Sequence, residues 1–268
     1  MRRPLIVGNW KMNTSLADAT VLATSIRNAA EDLDVEIVLC PPFVWLIPLA
    51  EVLDNAPPNV CLGAQNMHFA DKGPLTGEIS PLMLKGIAKY VILGHSERRI
   101  HFSESDEFIN DKMHAALNNN LIPIICVGEH KKMPLDKRER GRPTKTELRS
   151  DVLNQLSKAL DGVSRNQAEK IVISYEPVWA ISKGTVQSRN SADGAYANAV
   201  IERLRQTVAR KYGEDIAQRV RIIYGGSVSA STINEFIYQP EIDGALVGGA
   251  SLQAKEFINI CRQAGGRE

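Results

Sequence analysis

Short runs of apolar and β-branched residues recur along the whole chain, and polar positions separate them with helical spacing. The runs are Leu5-Ile6-Val7, Glu36-Ile37-Val38-Leu39, Val60-Cys61-Leu62, Tyr90-Val91-Ile92-Leu93, Ile122-Pro123-Ile124-Ile125-Cys126, Ile171-Val172-Ile173, Val220-Arg221-Ile222-Ile223 and Ala245-Leu246-Val247. Each predicts a strand, which makes eight. Continuous apolar strands are buried on both faces, the mark of a parallel sheet, and parallel strands need helical crossovers between them. One such helix is predicted from Leu16, Ala19, Ala23, Ile26 and Ala30, with Ser15 and Asp18 as a capping pair at its start. Eight right-handed βα units predict an α/β chain of class (β/α)8, a single closed barrel over residues 1–268 with outer helices. An open doubly wound sheet is the runner-up, but no G-x-G-x-x-G turn follows the first strand.

Length agrees with this picture, since barrels of this kind reach ~250 residues as one domain. Of the 268 residues, 44% are hydrophobic and 24% charged, as in an ordinary globular protein, and the net charge of +1 leaves no footprint for nucleic acid or a membrane surface. The four cysteines, Cys40, Cys61, Cys126 and Cys261, lack metal-like spacing and read as reduced thiols of a cytoplasmic protein. Neither an export signal nor a spanning segment is expected. The stretch from His130 to Arg149 holds eight Lys/Arg against three Asp/Glu, with Pro134 and Pro143. Without interleaved aromatics to stack bases, it reads as a solvated loop and helix start.

If the barrel closes, chemistry belongs at the C-terminal ends of the strands. Those junctions are Gly8-Asn9-Trp10-Lys11-Met12-Asn13, Gly63-Ala64-Gln65-Asn66, Gly94-His95-Ser96-Glu97-Arg98-Arg99, Glu176-Pro177, Tyr224-Gly225-Gly226-Ser227 and Gly248-Gly249-Ala250-Ser251. Pro177 biases Glu176 away from helical dihedrals, so a carboxylate stands on a defined corner after a strand. Taken singly, each junction has an ordinary reading: Glu-Pro as a turn, His95 as a structural histidine, Lys11 as a surface charge, the glycine pairs as tight turns.

Together and in order, these motifs resemble the triosephosphate isomerase family, from Gly8-Asn9-Trp10-Lys11-Met12 to Gly248-Gly249-Ala250-Ser251-Leu252. Cys126-Val127-Gly128-Glu129 and Gly73-Pro74-Leu75-Thr76-Gly77-Glu78-Ile79-Ser80 share the resemblance. It implies the TIM barrel fold and interconversion of dihydroxyacetone phosphate and D-glyceraldehyde 3-phosphate, without metal or organic cofactor. On the same ground Glu176 is the base, His95 a neutral imidazole that polarises the carbonyl, and Lys11 the electrostatic stabiliser. Asn9 and Glu97 hold Lys11, and Ser182, Ser227, Gly248 and Gly249 present backbone N–H groups to the substrate phosphate. The loop around Thr76 implies a homodimer. After Trp179-Ala180-Ile181, where the family usually carries Gly-Thr-Gly-Lys in its lid, this chain has Ser182-Lys183-Gly184-Thr185, and the proline shortly beyond is replaced within Ser188-Arg189-Asn190. The altered lid keeps two other readings open: an aldose-ketose isomerase for a four-carbon sugar phosphate, and a catalytically silent phosphate-binding scaffold.

Overall fold

In a computed structural model of the chain, residues 2–132, 151–180 and 192–266 are described, together with the backbone of 135–136 and 142–143. Eight parallel strands close into a barrel in sequential order. They are β1 (Leu5–Asn9), β2 (Glu36–Cys40), β3 (Val60–Ala64), β4 (Tyr90–Leu93), β5 (Ile122–Val127), β6 (Val172–Tyr175), β7 (Arg221–Tyr224) and β8 (Gly244–Val247), with β8 pairing back onto β1. Every apolar run of the sequence became a strand. The edges moved by a residue or two: Ile171 and Val220 stand just outside β6 and β7.

Side chains alternate across the barrel wall with the two-residue period of a strand. Leu5 and Val7, Val38 and Cys40, Tyr90 and Ile92, and Ile124 and Cys126 form one buried cluster inside the barrel. Their alternates, including Ile6, Leu39, Val91 and Ile125, join the larger core under the helices. The expected first helix spans Leu16–Ala29, and Ser15 and Asp18 form the capping box, with Ala30 as the C-cap. Three of the four cysteines are buried and none is bonded. In the basic stretch, the backbone of Leu135–Asp136 pairs antiparallel with Arg142–Pro143, a short ladder where a solvated loop and helix start was expected. Among the described residues no helix is long and apolar enough to cross a membrane.

The N-terminal end of the barrel is closed by charges. Glu36 accepts from Lys89 (2.6 Å), the Tyr90 hydroxyl (2.8 Å) and Arg221 (2.6 Å). Burial pushes the Glu36 carboxyl up, but the donors from Lys89, Arg221 and Tyr90 outweigh it and hold the group at about 2. On the side of Gly194–Tyr212, the buried Arg205 donates to the carbonyls of Ala217 and Val220, to Glu241 and to Asp243. Asp243 and Val220 precede β8 and β7, so this network also belongs to the bottom of the barrel, and the upper face is left for chemistry.

Candidate active site

Glu176 directly follows β6, and its backbone is clamped from both sides. Its N–H donates to the Val127 carbonyl (2.8 Å), while Gly225 N–H donates to the carbonyl of Tyr175 (2.8 Å). Two glycines make room for it. A Cβ on Gly128 would lie 1.7 Å from the Glu176 carbonyl oxygen, and one on Gly225 would come within 2.7 Å of Glu176 Cγ. Both stood in junction motifs, but only the close approach of neighbouring strands reveals what their missing side chains are for.

The carboxylate of Glu176 is 1% exposed. Oε2 accepts the backbone N–H of Ser96 (3.0 Å), and Oε1, with no hydrogen-bond donor among the described residues, lies 3.6 Å from His95 Nε2. His95 caps the Ser96–His101 helix, and its Nδ1 accepts the N–H of Glu97 at 3.2 Å. An imidazole nitrogen that accepts a backbone N–H carries no proton of its own. With Nδ1 as the acceptor of that contact, Nε2 is the nitrogen that faces Glu176 as a donor.

Lys11 follows β1 with φ of 54°, in the left-handed region, unusual for a residue with a Cβ. Three contacts hold it there. Asn9 Oδ1 accepts Lys11 N–H (3.1 Å), Gln65 Nε2 donates to the Lys11 carbonyl (2.9 Å), and Lys11 Nζ donates to Glu97 Oε1 (2.5 Å). Partial burial pushes Glu97 up, but the bond and charge of Lys11 bring it below the ordinary carboxylate range. The stem of Lys11 passes Gly248, where a Cβ would lie 3.6 Å from Lys11 Cε, while a Cβ on Gly249 would meet nothing within 4 Å. Strained backbone secured by side chains from two other strands is the mark of a positioned charge.

Asn9, Lys11, His95, Glu97 and Glu176 are thus joined by direct contacts at one end of the barrel, with Gly248 beside Lys11. Ser227 follows β7, and its hydroxyl donates to the Ala180 carbonyl (3.2 Å) in the turn after the base. Ser182, Lys183 and the replaced segment Ser188–Asn190 lie outside the described residues. Two participants were missed. Gln65 stood at a strand end, which was its signal. Glu129, at the end of β5, is 1% exposed and accepts from Tyr175 (2.8 Å), Trp179 (2.7 Å) and Tyr196 (3.1 Å) through one oxygen. Burial pushes its carboxyl up, only partly offset by those donors. Nothing local in the sequence marks a carboxylate as the hub of three aromatic residues.

A buried carboxylate beside an imidazole N–H and a fixed ammonium can take a proton from carbon next to a carbonyl whose oxygen is being polarised. Comparison with known proteins points the same way. The profile of the family described as "Triosephosphate isomerase" matches residues 4–264. The triosephosphate isomerase of Caldanaerobacter subterraneus subsp. tengcongensis is 47% identical over 261 residues, covering 97% of this chain and 99% of that protein. That of Dehalococcoides mccartyi is 44% identical, covering 98% and 97%. One from Clostridium perfringens is 44% identical, covering 97% and 99%.

Proposed function

The chain belongs to the triosephosphate isomerase family and is an isomerase of triose phosphates, and within that reaction we propose that Glu176 is the base, His95 the electrophile and Lys11 the electrostatic stabiliser. Glu176 takes a proton from one carbon of the triose, and the C–H electron pair forms the enediolate double bond as the carbonyl pair moves onto oxygen. His95 Nε2–H and the Lys11 ammonium stabilise that oxygen. The hydroxyl proton of the neighbouring carbon then passes by way of His95 Nε2 to the former carbonyl oxygen, and the carboxylic acid returns its proton to that neighbouring carbon, so carbonyl and hydroxyl exchange places and nothing is gained or lost overall. Triosephosphate isomerase is itself the long-known example of such a Glu/His pair. The observation that carries the assignment here is His95 Nδ1 accepting Glu97 N–H, which leaves Nε2–H to donate toward the reacting oxygen.

Asn9 and Glu97 hold Lys11, and the substrate phosphate is met by backbone N–H groups of Ser227, Gly248 and Gly249, with Ser182 added on the resemblance alone. Glycine allows close approach to an anion, and the loops after β7 and β8 are where such barrels bind phosphate. The test is a direct assay with three- and four-carbon sugar phosphates. We expect kcat/KM for glyceraldehyde 3-phosphate to exceed that for the four-carbon aldose phosphate by ~10²-fold, the scale on which a closed pocket rejects extra bulk. Equal values, or preference for the longer sugar, would overturn the triose assignment.

The same reading makes residues 1–268 a single barrel domain of a cytoplasmic homodimer. Support for the dimer comes from the connections after the first four strands. The loop around Thr76 stands exposed from 71 to 78, its base pinned by His68 N–H donating to Ile79 O (2.8 Å). Met12 (96% exposed), Val44, Phe69, Met83 and Phe102, on the connections that follow the adjacent strands β1 to β4, also turn apolar side chains to solvent. Sedimentation should give twice the chain mass, and Met83→Glu with Phe102→Glu should yield a monomer of far lower activity. A fully active monomer would contradict the proposal.

A further inference from the structure

The basic stretch after β5, which the reaction leaves without a role, sends one residue back toward the base. Lys132 Nζ lies 5.3 Å from the ring centre of Trp179 and 5.5 Å from that of Tyr196. The two rings meet edge to face at 5.7 Å. Both donate their polar hydrogens to the same buried carboxylate oxygen of Glu129. Two aromatic rings are therefore held between an anion and a cation. Donating to a carboxylate makes a ring richer in electrons, and a richer ring holds a cation more strongly on its face.

Trp179 belongs to the turn Val178–Ala180 that follows Glu176 and Pro177, and Val178 N–H donates to the Glu129 carbonyl (3.0 Å). We infer that Lys132 is a positioning residue for the isomerisation: it clamps Trp179 onto Tyr196 and Glu129, and so fixes the corner on which the base stands. The inference rests on Glu176 being that base. Lys132 meets the turn after the base through the Trp179 ring, whereas Ser227 meets it through the Ala180 carbonyl (3.2 Å), so the lysine acts on kcat and not on the backbone N–H groups proposed for phosphate.

Lys132→Met keeps the apolar stem and removes the charge, while Lys132→Arg keeps a cation able to lie on the rings. A cation–π contact of an exposed lysine with two rings is worth about a two- to tenfold change in an equilibrium, and displacement of a base is felt directly in rate. Lys132→Met should lower kcat about two- to tenfold with KM within about twofold, and Lys132→Arg should restore it. In a Trp45→Phe background, where Trp10 is fully buried, acrylamide quenching should report Trp179 and rise in Lys132→Met only. An unchanged kcat in Lys132→Met would overturn the positioning role, as would a Lys132→Arg protein as slow as Lys132→Met. Unchanged quenching would overturn the clamp itself. Failure of the reaction assignment would look different: the unsubstituted protein would have no isomerase activity, while quenching still reported the contact.

Discussion

Glu176→Asp should lower kcat by ~10²–10³-fold while leaving KM and inhibition by inorganic phosphate within about threefold. Removing one methylene draws the carboxylate back by about 1.5 Å, and a misplacement of that order is enough to cost about 10²-fold when a reaction depends on near-attack geometry. General base catalysis contributes ~10²–10⁴-fold, which sets the ceiling on the loss. Binding is spared because the proposed phosphate contacts are backbone N–H groups, those of Ser227, Gly248 and Gly249 on loops after other strands and that of Ser182, and the Glu176 side chain supplies none of them. The fold is spared because, among the described residues, Glu176 Oε1 accepts no hydrogen bond and Oε2 accepts the one from Ser96 N–H. Progress curves of the purified variant, alongside a melting curve within a few degrees of the parent, provide the check. A kcat within about tenfold of the parent, or a loss carried entirely by KM, would remove Glu176 from the role of base.

Arg205→Met should do the reverse, lowering stability severely and leaving turnover per folded molecule within about twofold. The Arg205 guanidinium reaches the carbonyls of Ala217, Val220 and Glu241 and the carboxylates of Glu241 (2.6 Å) and Asp243 (2.8 Å). Those five bonds match its five N–H donors. Methionine fills the stem but leaves carbonyls without donors and Asp243, 1% exposed, short of a cation in the interior. Breaking a buried pair from one side costs about 3–5 kcal/mol, which for a chain of this size lowers Tm by about 10 °C. Arg2 still reaches Asp243 at 2.5 Å, and Ile222 N–H at 2.8 Å, so the loss should fall short of complete unfolding. Urea melts and kcat measured well below the transition separate the two effects. A fall in kcat under conditions where the variant is fully folded would contradict the division of the barrel into a stabilising lower end and a reactive upper end.

That division was partly legible before any coordinates. The upper end announced itself because strand ends carry residues that a connection does not need: Asn9 and Lys11, His95, Glu176, and the glycines at 248 and 249. The lower end did not, because Arg205, Glu241 and Asp243 sit in ordinary polar surroundings in the sequence and meet only when the chain returns through β8. Charged residues inside helices usually face solvent, and nothing in the spacing around Arg205 marks it as buried.

By itself, the sequence determined the eight βα units, the first helix with its Ser15 cap, and the candidate base on its corner. These follow from backbone periodicity and from local dihedral preference, properties of a few neighbouring residues. Only the tertiary structure decided that Lys11 takes a left-handed conformation held by Gln65, and that Ser96 N–H meets a carboxylate eighty positions away. It alone made Glu129 the hub of three aromatic residues and brought Lys132 over two of them. Such meetings depend on barrel closure and on the stagger between strands, which set the distances between residues far apart in the chain and leave no mark on local pattern.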